Sequence, residues 1–179
     1  MRLGWWSLLV LAVGFAQSAH AQYTASIKAF YGTYTGSGIA ENKDSVFFGV
    51  TQRDFDVVIH PQGAGFSLSW STISHAGGDP NKPKTKRKEN QVSFVPGPEP
   101  DTWRTASEPD ALSGDPVIWA RIEHTTLIVN VLTIDKQGRV ELQRYARTLI
   151  GGGMDLVFTA YEEGEQLRTV KGRLVKTAN

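Results

Sequence analysis

The sequence predicts an all-β domain, a single up-and-down antiparallel barrel of about nine or ten strands, on three observations. Apolar and polar residues alternate with a period of two along most of the chain after residue 21. No window of about a dozen residues keeps a helical stripe. Glycine, proline and acidic turn residues separate the alternating runs at short intervals, which makes successive strands neighbours.

The first element is a leader, not a strand. Arg2, the apolar stretch Leu8 to Phe15 and the small-residue site Ala19-His20-Ala21 have the layout of a cleavable secretory signal. The apolar run reaches only about 15 residues, whereas a membrane span needs roughly 20. Cleavage after Ala21 leaves a domain of residues 22–179, and no cysteine precedes Gln22 to carry a lipid. The expected location is periplasmic, with the extracellular space as the alternative.

The strands then follow in order. One spans about Phe30 to Gly38 and another is marked at Val46 to Val50. Phe55, Val57 and Ile59 alternate with polar partners up to a turn at Pro61 to Gly65, and Phe66, Leu68 and Trp70 alternate with serines beyond it. Val92 and Phe94 mark a strand ending at Pro96. Val117 to Glu123 pairs with Leu127 to Ile134, and Val140 to Leu149, Met154 to Tyr161 and Leu167 to Val175 complete the meander. A soluble sheet of that length closes or folds over on itself to remove its edges.

Two segments interrupt the pattern. Ala76 to Lys88 reads as a long basic connection, and Pro96 to Pro116 as a stiff acidic loop of the kind that forms lids or Ω-loops, with Trp103 inside it as a lid residue or a loop anchor. Lys82, Lys84, Lys86, Arg87 and Lys88 could touch anionic envelope lipids, or form a solvated loop that guards a strand edge.

Tyr31-Gly32-Thr33-Tyr34 on the first strand and Arg173 on the last resemble the calycin pattern of lipocalins and their relatives. In that pattern a Gly-x-aromatic packs under a basic residue from the last strand; Tyr34 stands where lipocalins usually have Trp. The resemblance implies a barrel open at one end that binds a small apolar molecule or lipid. The residues alone also allow Tyr34 to be an ordinary core aromatic.

Charge and composition exclude several functions. The chain has 19 Lys plus Arg and 18 Asp plus Glu, and the leader removes only Arg2, so the mature domain is neutral and offers no nucleic-acid footprint. Without cysteine there is no thiol chemistry. His60, His75 and His124 show no metal spacing, and no nucleophile turn is present, so no catalytic residue, metal or cofactor is assigned and enzymatic activity stays open.

The most specific expectation concerns register. If 151–153 and 163–165 are both three-residue connections, Arg144 lies opposite Ala160 and Ala160 opposite Arg168, all on one inward face. A carboxylate or phosphate could then bridge the two arginines, which would sit about 9.6 Å apart across two strand spacings. The alternative puts both at the barrel mouth, paired with nearby glutamates. The expected ligand-binding residues are therefore Phe55, Phe66, Trp70, Arg144 and Arg168, and the expected ligand is a small hydrophobic or amphipathic anion. The competing function is a non-catalytic envelope interaction module whose barrel is filled.

Overall fold

A computed structural model describes residues 23–42, 51–76 and 84–179. Among these, ten antiparallel strands close into one barrel in which every strand pairs with its neighbours in sequence and the last pairs with the first. They are β1 (Gly32–Asn42), β2 (Thr51–Gln62), β3 (Gly65–Ala76), β4 (Lys84–Pro96), β5 (Thr102–Thr105), β6 (Val117–Glu123), β7 (Thr126–Ile134), β8 (Val140–Ile150), β9 (Gly153–Glu162) and β10 (Glu165–Ala178). This is the closed up-and-down barrel that the alternation and the calycin resemblance imply. The leader and the strand marked at Val46 to Val50 lie outside the described residues.

Tight reversals set the meander. The β2–β3, β6–β7, β8–β9 and β9–β10 hairpins each leave two residues between paired strand ends. Residues with positive φ sit in each: Gly63 (56°), His124 (54°), Gly152 (81°), and Glu163 and Gly164 (49° and 81°). Positive φ matches the right-handed twist of the flanking strands, which is why such short loops close them.

Four expectations need correction. Phe30 belongs to a 3₁₀ turn, Ile27–Phe30, and β1 starts after it at Gly32. The end of the basic connection is strand: β4 begins at Lys84 and pairs with β3 from there to Phe94, while 77–83, Lys82 included, lie outside the described residues. The acidic loop contains β5, which bridges β4 and β6 and so completes the ring. Trp103, on β5, is an inward core residue stacked edge-on against Phe66 at 5.4 Å, not a lid.

One end of the barrel is plugged. The 3₁₀ turn delivers Phe30, fully buried, and the Tyr34 hydroxyl donates to the Phe30 carbonyl at 2.9 Å. The Ala25 N–H donates to the His124 carbonyl at 2.7 Å, tying the plug to the β6–β7 turn. The basic residue from the last strand that meets Tyr34 is Lys176, its Nζ 5.9 Å from the ring centroid. Arg173 instead faces outward and pairs with Asp155 at 2.8 Å. Tyr34 pairs with Lys176 across a register irregularity in β1–β10, and that shift moves the contact.

Candidate functional site

Inward-facing residues follow from strand parity and cross-strand pairing. On β2 they run Ile59, Val57, Phe55, Arg53, Thr51 from the plugged end to the other. On β3 they run Phe66, Leu68, Trp70, Thr72, Ser74, and on β4 Phe94, Val92, Asn90, Lys88, Lys86. Three adjacent strands thus change from apolar to polar or cationic at a similar height.

The apolar half is filled. Phe66 stacks on Phe94 with centroids 4.7 Å apart, and Leu68, Ile59, Leu127, Met154 and Leu174 are each at most 1% exposed. The other half encloses a cavity of about 680 Å³. That is ample for a small ligand, since such sites run from roughly 300 to 1,000 Å³. Its apolar wall is Phe55, Trp70, Tyr145, Leu156, Phe158 and Val170, and Thr51, Thr72, Ser74, Asn90 and Gln143 add polar groups.

The charge in this cavity is all of one sign. Arg53, Lys86, Lys88, Arg147 and Arg168 line it, and no carboxylate stands among the described lining residues. Outward-facing arginines behave differently: Arg87 pairs with Asp56, Arg121 with Glu123, Arg139 with Asp135 and Glu162, and Arg173 with Asp155. These four outer arginines are neutralised by acids, whereas the inner cations are gathered together.

Arg147 is the extreme case. It is 1% exposed, three residues from the plugged end of β8, and its Nε and Nη1 have no hydrogen-bond partner among the described residues. Its guanidinium carbon lies 5.7 Å from the Trp70 ring centroid and 5.5 Å from that of Tyr145. Burial pushes its pKa down to about 10, with Tyr145 pushing weakly the other way. It is therefore still charged at neutral pH, and a buried cation without a paired acid weakens the fold. The ring faces offset a part of that cost.

The aromatic neighbours are fixed in turn. Tyr145 meets Trp70 edge-on at 5.4 Å and Phe158 at 4.7 Å. Its hydroxyl donates to Gln143 Oε1 at 2.8 Å, and Gln143 Nε2 donates to Glu141 at 2.8 Å. Burial raises the Tyr145 pKa, so the phenol keeps its proton.

Arg53 and Arg168 lie nearer the other end, both half-buried, with Nε atoms that lack a partner among the described residues. Burial lowers the Arg53 pKa and the charge of Arg168 lowers it further, so the two groups are close enough to repel. Arg53 Nη1 donates to Ser74 Oγ, and the Arg168 guanidinium lies over Phe158 at 5.3 Å.

Of the residues singled out by sequence, the fold brings Phe55, Trp70 and Arg168 to the cavity. Phe66 is buried in the filled half and does not line it. Arg144 is misplaced by one register step: it lies opposite Thr159 and Asn130, on the face away from the cavity, and Gln143 takes the place opposite Ala160. The β8–β9 turn uses only Gly151 and Gly152, while Gly153 is already in the strand, where a Cβ would come within 1.9 Å of the Leu174 carbonyl oxygen. A one-residue slip exchanges the faces of a strand, so Arg147 points in where Arg144 was expected. On the other side Arg168 does lie opposite Ala160, by a different route: a two-residue turn followed by a bulge at Leu167.

Four cavity cations are not among the expected ligand-binding residues, and three of them have a readable signal. Arg53 shares parity with Phe55, and Lys86 and Lys88 share parity with Val92 and Phe94 once β4 is extended backward. Arg147 had none that was decisive, because both faces of β8 mix apolar and polar residues. The basic run is divided by the same parity: Lys86 and Lys88 line the cavity, while Arg87 faces outward against Asp56.

No protein-family model matches the chain, and no curated protein matches it. Among solved structures, an S-type phycobiliprotein lyase from Guillardia theta is similar over 86% of this chain and 91% of that one, at 10% identity and a TM-score of 0.31. A likeness that low carries no argument about ligand or activity.

Proposed function

We propose that this protein is exported and binds a small anionic amphipathic molecule inside the barrel. The observation that carries the reading is Arg147: a fully buried guanidinium whose Nε and Nη1 lack a partner among the described residues, facing a roomy cavity whose described lining holds no carboxylate. A fold that maintains an uncompensated cation gains most from a ligand that supplies the missing charge, through charge-assisted hydrogen bonds in a water-poor site. Phe55, Trp70, Leu156 and Phe158 would hold the apolar body of the ligand.

Export rests on the leader pattern at residues 1–21, and the periplasm is the compartment proposed. Mass spectrometry of the protein recovered from its host cell envelope should give an N-terminus at Gln22; a retained Met1 would exclude it. For binding, a medium-chain fatty acid and its methyl ester are compared by displacement of a fluorescent apolar probe. The acid should bind at least about tenfold more tightly, since a buried charge-assisted pair contributes upward of about 1.4 kcal/mol. Equal affinity for acid and ester would overturn the anion reading.

A further inference from the structure

We infer that the cavity holds two anion subsites at different depths, so that its ligand is an elongated dianion with an acid group at each end of an apolar body. This rests on the anion-binding reading above and specifies its substrate class.

The inner subsite is Arg147. Trp70 and Tyr145 flank its guanidinium, leaving Nε and Nη1 as the donors without partners. A carboxylate can accept both in the planar, two-bonded geometry that guanidinium favours.

The outer subsite is the pair Arg53 and Arg168. They come from β2 and β10 and line the same cavity, where the charge of Arg168 acts on Arg53, and each offers a buried Nε without a partner among the described residues. Two guanidinium groups held close together are stabilised by an anion between them, and Lys86 and Lys88 add positive charge on the exposed side.

Two rings separate the subsites. Arg147 lies over Tyr145 and Arg168 over Phe158, and those rings meet with centroids 4.7 Å apart. Arg147 reaches the Trp70 ring, whereas Arg53 pairs with Ser74, four residues nearer the open end of β3, and Arg168 lies two residues beyond Val170, the partner of Phe158. Four strand residues span about 13 Å. A molecule lying along the ring pair reaches each subsite with a different end.

The test measures, by calorimetry on the mature protein, a monocarboxylate and an α,ω-dicarboxylate of equal chain length, with the methyl ester of the monoacid as the uncharged reference. The dicarboxylate should bind about tenfold or more tightly than the monocarboxylate. Arg147→Gln and Arg168→Gln should each shrink that gap below about threefold, with thermal melts confirming that both variants are folded; Arg168→Lys should retain part of it. Equal binding of monoacid and diacid would overturn the two-subsite inference and leave the anion reading intact. A gap that survives both Gln variants would overturn the assignment to these residues. If neither acid outbinds the ester, the anion reading fails as well.

Discussion

The two halves of the barrel are made from the same strands and do opposite things. Toward the plug, inward residues interlock: Phe66 against Phe94 and Trp103, with Phe30, Leu127 and Met154 fully buried around them. Toward the other end, the same faces carry Arg53, Thr72, Ser74, Lys86 and Lys88 around open volume. Fully burying each large apolar side chain contributes roughly 1.5–3 kcal/mol, so the filled half can carry the stability. That frees the hollow half to hold residues, Arg147 above all, that make the fold weaker.

Substitutions should therefore separate stability from binding according to the half they touch. The largest effect on stability is expected from Phe66→Ala, which opens a cavity in the filled half and should cost roughly 3–5 kcal/mol in urea unfolding. Acid binding by the fraction still folded should be nearly unchanged, because Phe66 does not line the cavity.

Arg147→Met should reverse that result. Replacing an unpaired buried cation with an apolar chain of similar volume should leave stability unchanged or raise it by about 1–4 kcal/mol in the same assay. Binding of the fatty acid should fall at least about tenfold. A variant that melts well below the wild type would show that Arg147 has a structural partner.

A pH series tests the same residue without changing the fold. Burial holds the folded-state pKa near 10, below the ordinary guanidinium value that applies when the chain is unfolded. The penalty is thus complete below pH 10 and fades as pH rises through the folded value toward the unfolded one. The stability advantage of Arg147→Met should be widest below pH 10 and narrow above it, and wild-type affinity for the acid should fall across the same window.

Gly172→Ala probes the boundary between the halves. A Cβ there would meet the Phe55 ring edge and the Ser37 carbonyl oxygen, both at 2.9 Å. Overpacking of this kind costs about 1–3 kcal/mol, and Phe55, displaced into the cavity, should weaken binding as read by calorimetry. Arg144→Ala should do least: it lies on the outward face, so stability should stay within about 0.5 kcal/mol and affinity should not move.

Local pattern determined much of this protein. Period-two alternation identified the strands and the inward faces of Phe55, Trp70 and Phe94, and the turn residues identified the hairpins, because both depend on residues adjacent in sequence. The same parity, carried two residues past Phe55, reaches Arg53. What tertiary structure alone decided is how the strands meet. Gly151-Gly152-Gly153 can reverse a chain with two residues or with three; the choice belongs to β10, whose Leu174 carbonyl oxygen sits where a Gly153 side chain would be. That one step turned Arg144 outward and Arg147 inward. Ring closure likewise drew Thr102–Thr105 and Lys84 to Lys88 into the sheet despite their loop-like composition, since unpaired strand edges cost more than weak local preference resists. Alternation is a property of the chain, whereas register is a property of its neighbours, and the cavity cations are placed by register.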